Sequence, residues 1–192
     1  MPRDNPISLQ FYEEVAPLLN ELARAMCIAL DQKHAVLCAV SEGTRLLLEE
    51  QAAKRGIDVA AARERGQCVF LDGVDLLSEI TLRGMPDPVR FHEVIGGHVK
   101  RLVRDYAGVW MYGELAAIMW GQGVERGAIE LDRLWASLAE SEPVVLCAAF
   151  PVEALSWPIV VKALQQEVAE QVRKLAKGSA IALAIHHGPT GS

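Results

Sequence analysis

AVLCAVSEGTRLLLEEQAAKRGIDVAAARERGQCVFLD, residues 35–72, decides the fold class. It opens on Ala35–Val40, a run that is apolar at every position and too short for a core helix. Such a run reads as a strand covered on both faces. Ser41 supplies an N-cap, Leu46, Leu47 and Leu48 follow on a helix, and Gly56 stops it. Asp58 caps a second, shorter helix that ends at Gly66. Cys68–Asp72 is then a second covered strand. Strand, helices and strand in this order form a crossover unit, the connection that parallel strands require.

The same alternation extends in both directions. Further strands are expected at Ile7–Tyr12 and at residues 108–112, 144–150 and 180–185. Pro17 fits the first turn of a helix carrying Leu18, Leu19, Leu22 and Met26. Asp87-Pro88 opens a helix on which Phe91, Val94, Ile95, His98, Val99, Leu102 and Tyr106 recur at three-and-four spacing. Residues 124–139 place Leu131, Leu134, Trp135 and Leu138 on one side. Pro158 opens a last helix, with a stripe through Val161, Leu164, Val168, Val172 and Leu175 and a stop at Gly178. The pattern predicts an α/β three-layer sandwich with a mostly parallel central sheet.

Bulk composition narrows the function. The chain has 192 residues, 51% apolar, with a formal net charge of −6. That suits one globular domain, expected over residues 1–186, with a Gly/Pro/Thr/Ser tail at 187–192. An acidic chain without a basic block is a poor candidate for direct nucleic-acid binding, so no nucleic-acid partner is expected. Cys27, Cys38, Cys68 and Cys147 form no CxxC pair and read as buried free thiols of a reducing cytoplasm. No apolar run reaches the length of a membrane span, and the start MPRDNPISLQ lacks signal-peptide order. His186-His187 has no convergent partners at metal-ligand spacing, and no cofactor motif stands out.

In an open α/β sheet, ligands bind beyond the carboxyl ends of the strands. Those ends present Tyr12, Glu13 and Glu14; Ser41 and Glu42; Asp72 and Gly73; Gly113 and Glu114; and Phe150 and Pro151. Tyr112 precedes the Gly-Glu pair, and Trp120 and Trp135 follow on helical segments. Glu114 is either a ligand-binding carboxylate or a helix N-terminal acid held by the dipole. Tyr12 and Tyr112 are pocket hydroxyls or core aromatics; Trp120 and Trp135 form an apolar cage or plain core. His98, on an apolar stripe, reads as a hydrogen-bonded core histidine.

Nucleotide chemistry is tested by the turn after the first strand. A P-loop needs glycines, a lysine and a Ser/Thr. FYEEVAPLLNEL has no glycine, no lysine and two adjacent carboxylates. CVFLD resembles a Walker-B strand, a pattern common to many α/β proteins.

Several segments together resemble the DcmR-type sensory (MEDS) family. They are QFYEE, GIDVAAARERGQCVFLDG, GMPDPVRF and YGELAAIMWGQGVERGAIELDRLWASLAESEPVVLCAAFP. The matching features are Gly113-Glu114, Met119-Trp120, Gly123, Asp132-x-Leu134-Trp135, and Leu146-Cys147-Ala148 leading to Pro151, within residues 7–155. The chain departs from the family at Ile7 in place of His, Ala136 in place of Asn and Phe150 in place of Tyr. The resemblance implies a KaiC/RecA-like fold that has lost its P-loop and serves as an input module for small hydrocarbon derivatives. It implies a regulatory partner, a histidine kinase or transcription regulator, with the domain acting alone or as a homodimer. It also implies that the first and fourth strands are neighbours, with Tyr12 and Glu114 on one pocket. The three readings are a non-catalytic sensory domain, a divergent NTPase using Asp72 or Glu114 with magnesium, and a protein–protein adaptor with a vestigial pocket.

Overall fold

The computed structural model describes residues 7–151. The helix expected from Pro158, the strand over 180–185, His186-His187 and the tail lie outside them.

The elements run β1 (Ile7–Tyr12), α1 (Val15–Asp31), β2 (Ala35–Val40), α2 (Glu42–Ala53), α3 (Val59–Glu64) and β3 (Cys68–Asp72). There follow α4 (Gly73–Ile80), β4 (Thr81–Leu82), β5 (Met85–Pro86), α5 (Pro88–Asp105), β6 (Val109–Gly113), α6 (Leu115–Gly121), α7 (Glu125–Ser141) and β7 (Val144–Pro151). The caps read from the sequence are in place. Ser41 Oγ accepts from the Thr44 amide, Asp58 from Ala61 and Asp87 from Arg90. Gly56 and Gly66 take the left-handed backbone that ends their helices. Three strands have the boundaries expected of them. The fourth long strand starts and ends one residue later than residues 108–112, so Glu114 follows it directly.

Sequence reading missed α4, α6 and the β4–β5 hairpin. The hairpin turns through Arg83 and Gly84, with φ of 54° and 79°. Two successive left-handed residues match the twist of a two-residue hairpin, but Arg-Gly is a weaker signal than Asn-Gly.

Five parallel strands form one sheet in the order β1-β7-β6-β2-β3. The first and fourth long strands, β1 and β6, are therefore not neighbours, because β7 lies between them. This corrects the expected adjacency. Its cause is the return of the chain: it steps from β1 through β2 to β3, then back through β6 to β7.

That reversal also builds the layers. With crossovers of one hand, helices on the outward path and on the return path cover opposite faces. Val36, Cys38, Val40, Cys68, Trp110, Tyr112 and Cys147 pack with α1, α2 and α3 in one core. Leu37, Ala39, Val109, Met111, Val144 and Leu146 pack with α4, α5, α6 and α7 in the other. All six residues of β2 are at most 1% exposed, as expected of a strand covered on both faces. Each fully buried Leu, Val or Phe in these layers contributes about 1.5–3 kcal/mol.

Candidate functional site

The β2/β6 boundary is where the helices change face. The helix after β2 packs on the α1 side and the helix after β6 on the α7 side. A crevice opens at such a switch point, beyond the carboxyl ends of the strands. Ser41 and Glu114 both stand there.

The Glu114 carboxylate spans the boundary. One oxygen accepts from the Ser41 amide at 3.1 Å and the other from the Thr44 hydroxyl at 2.7 Å. The Glu114 amide donates to the Ala39 carbonyl at 3.0 Å. Ser41 Oγ and Thr44 Oγ1 are themselves 3.1 Å apart. Glu114 thus ties the end of β6 to the first turn of α2, a task that neither earlier reading of it included.

Tyr112 points to the opposite side of β6 from Gly113 and lies among the α1-side core. It stacks on Trp110 with ring centroids 6.5 Å apart. Burial raises its phenol well above the usual value, and the nearby Glu114 carboxylate adds to the rise. Tyr12 is half-buried and packs against the same core, whereas Glu13 is exposed beside Glu14, the N-cap of α1.

The remaining candidates are dispersed. Asp72 is exposed and caps α4, accepting from the Val74 and Asp75 amides at 2.9 and 3.0 Å. Trp120 is half-buried against the α7-side core. Phe150, near the end of β7, is in register with Phe11 of β1. His98 is half-buried and accepts from Arg101 at 3.0 Å; burial, then Arg101, lowers its pKa. Among the described residues no group of three His, Cys, Asp or Glu side chains could hold a metal ion.

On the α7 side of the sheet, the residues where β2, β6 and β7 run side by side near the ends of β2 and β6 are small. Ala39 is in register with Gly113, and Ala148 is the next residue of β7 after the partner of Tyr112. A cavity of about 30 Å³ opens above Gly113, Leu146 and Ala148. Ala116 and Ala117 of α6 and Asp132 and Trp135 of α7 close it. Trp135 is fixed edge-on to the fully buried Phe91, with ring centroids 5.1 Å apart. Burial raises the pKa of the Asp132 carboxyl, which makes no hydrogen bond or ion pair with any described residue. Sequence reading quoted Asp132 within the family pattern but not as a site residue. Its signal was position: it flanks the stripe of Leu131, Leu134, Trp135 and Leu138 and sits one helical turn before Trp135.

No described helix is long and apolar enough to cross a membrane. No curated protein matches the chain. The family model described as MEDS, the methanogen/methylotroph DcmR sensory domain, matches residues 8–170, most of the chain. The chain belongs to the MEDS family of sensory domains.

Proposed function

We propose that this domain is a non-catalytic sensor. A small, largely apolar organic molecule enters at the carboxyl ends of β6 and β7, and the resulting repacking is read by a regulatory protein, a histidine kinase or transcription regulator. The observation that carries this reading is the cavity between the sheet and α6–α7, walled mostly by Gly, Ala, Leu and Trp side chains. Ligand sites in α/β proteins lie at this end of the sheet and are mostly apolar with few polar groups; at roughly 300–1,000 Å³ they are far larger than this cavity, so a ligand must widen it on entry. Ser41 and Glu114, at the neighbouring β2/β6 boundary, and Tyr112, on the other face of β6, are assigned supporting parts in the response. Tyr12, Glu13, Asp72, Trp120 and Phe150 are assigned a more distant part in the same rim. The functional unit is residues 1–186.

Two features disfavour a nucleotide. Glu13 and Glu14 follow β1, where an NTPase would cradle phosphates, and like charges there repel a triphosphate. Asp72 already commits its Oδ1 to two amides of its own helix.

Native mass spectrometry of the purified protein tests the reading. The expected result is a small organic adduct that is lost on mild denaturation. Calorimetry with Mg-ATP should show no binding heat. A micromolar dissociation constant for Mg-ATP would replace the sensor reading with the NTPase one.

A further inference from the structure

The α6–α7 cavity contains a mismatch of chemistry. Its walls are Gly113, Ala116, Ala148, Leu146 and Trp135, yet α7 adds one carboxyl, that of Asp132. No described residue donates to that carboxyl or pairs with it. Ion pairs within the described residues involve other acids, such as Glu130 with its neighbour Arg133. Asp132 is half-buried, so its carboxylate keeps some contact with water while losing part of its hydration. A cation brought next to it on this mostly apolar wall is attracted more strongly than in bulk water.

The size of the space limits what can supply that cation. A water needs roughly 10–15 Å³ of such volume. The cavity, at about 30 Å³, holds about two water-sized groups. That admits an ammonium and its first carbon and excludes a guanidinium or a ring. An anion would face the Asp132 charge. A neutral hydroxyl could donate one hydrogen bond but would leave that charge uncompensated.

We propose that the cavity takes the head of a primary alkylammonium, the nitrogen against the Asp132 carboxylate and its first carbon over Gly113 and Ala148. This rests on the cavity being the sensory site and gives its ligand a charge and a size. A longer alkyl chain would extend outward past α6.

The test uses the full chain, with ethylammonium and ethanol as probes of equal heavy-atom count, followed by NMR of the tryptophan indole signals. Ethylammonium is expected to shift the Trp135 indole signal saturably. Ethanol and the Asp132→Asn variant should each weaken binding at least tenfold. Gly113→Ala should abolish it, because an added Cβ would lie 3.7 Å from the Trp135 ring, an ordinary contact that fills the space without strain. Equal binding of ethanol, or undiminished ethylammonium binding to Asp132→Asn, overturns the ammonium assignment and leaves the cavity as a ligand site. Failure of both probes to shift the parent protein overturns the ammonium assignment and the sensory cavity together.

Discussion

At the scale of single residues, the two carboxylates near the site behave oppositely. Glu114 is satisfied by the protein, with the Ser41 amide and the Thr44 hydroxyl on its two oxygens. Removing it strands a part-buried amide and hydroxyl, and an unsatisfied buried group costs about 1–3 kcal/mol. Glu114→Ala is therefore expected to lower the thermal midpoint by several degrees. Glu114→Gln should recover most of the loss, because its amide oxygen can accept from Ser41 while its NH₂ donates to Thr44 Oγ1. A Gln variant as unstable as the Ala variant would show that the charge itself holds the turn. Asp132 is the reverse case. Burial raises its native pKa, so the folded protein holds the proton more tightly than the unfolded chain. As pH rises past the ordinary aspartate value, the unfolded chain ionises first and stability falls. The loss is complete above the raised native value. Asp132→Asn should match the parent near pH 3 and melt a few degrees higher at pH 7. Equal midpoints at both pH values would mean that water reaches the carboxyl freely.

At the scale of elements, the junction of α6 and α7 forms one wall of the cavity. Gly127 is the close point of that junction. A Cβ there would lie 2.3 Å from Met119 Cε and 2.9 Å from Val124 Cγ1. Met119 is only 3% exposed, so its side chain has little room to retreat. Overpacking of this kind costs about 1–3 kcal/mol. Gly127→Ala is expected to lower the midpoint in a calorimetric melt, against the gain that Gly→Ala normally brings within a helix. A midpoint at or above the parent's would show that α6 can shift as a unit. The same scale explains what sequence patterning overlooked. α6 is short, and its Leu-Ala-Ala-Ile-Met-Trp run shows no polar face, so periodicity did not separate it from the strand before it. α4 begins on the strand-end residue Asp72 itself, which hid its start.

For the whole molecule, the sheet and its two helical layers bury four thiols, Cys27, Cys38, Cys68 and Cys147. Burial pushes the thiols of Cys68 and Cys147 up to about 12, and that of Cys38 upward too. Thiolate is the reactive form, so these groups are both inaccessible and protonated at neutral pH. An excess of a thiol-specific disulfide reagent at pH 8 should label them only at the global unfolding rate and completely in denaturant. Rapid labelling of the native protein would show that one helical layer opens separately. The sequence alone determined the parts whose physics is local. Ala35–Val40 is apolar at six successive positions, too short for a core helix and followed at once by the Ser41 cap, so it reads as a strand with both faces covered. Ser41, Asp58 and Asp87 cap the helices that follow them because a side-chain oxygen reaches amides two or three residues away. The site was legible as far as this logic reaches: the ends of the strands, and Glu114 directly after one of them. Only the tertiary structure decided the order β1-β7-β6-β2-β3, because parallel strands pair through long crossovers and nothing in a strand's own residues names its neighbour. It alone placed Thr44 on Glu114 across 70 residues and set Asp132 above Gly113 and Ala148 with no partner among the described residues, because the surroundings of a side chain are set by elements that meet only when the chain packs.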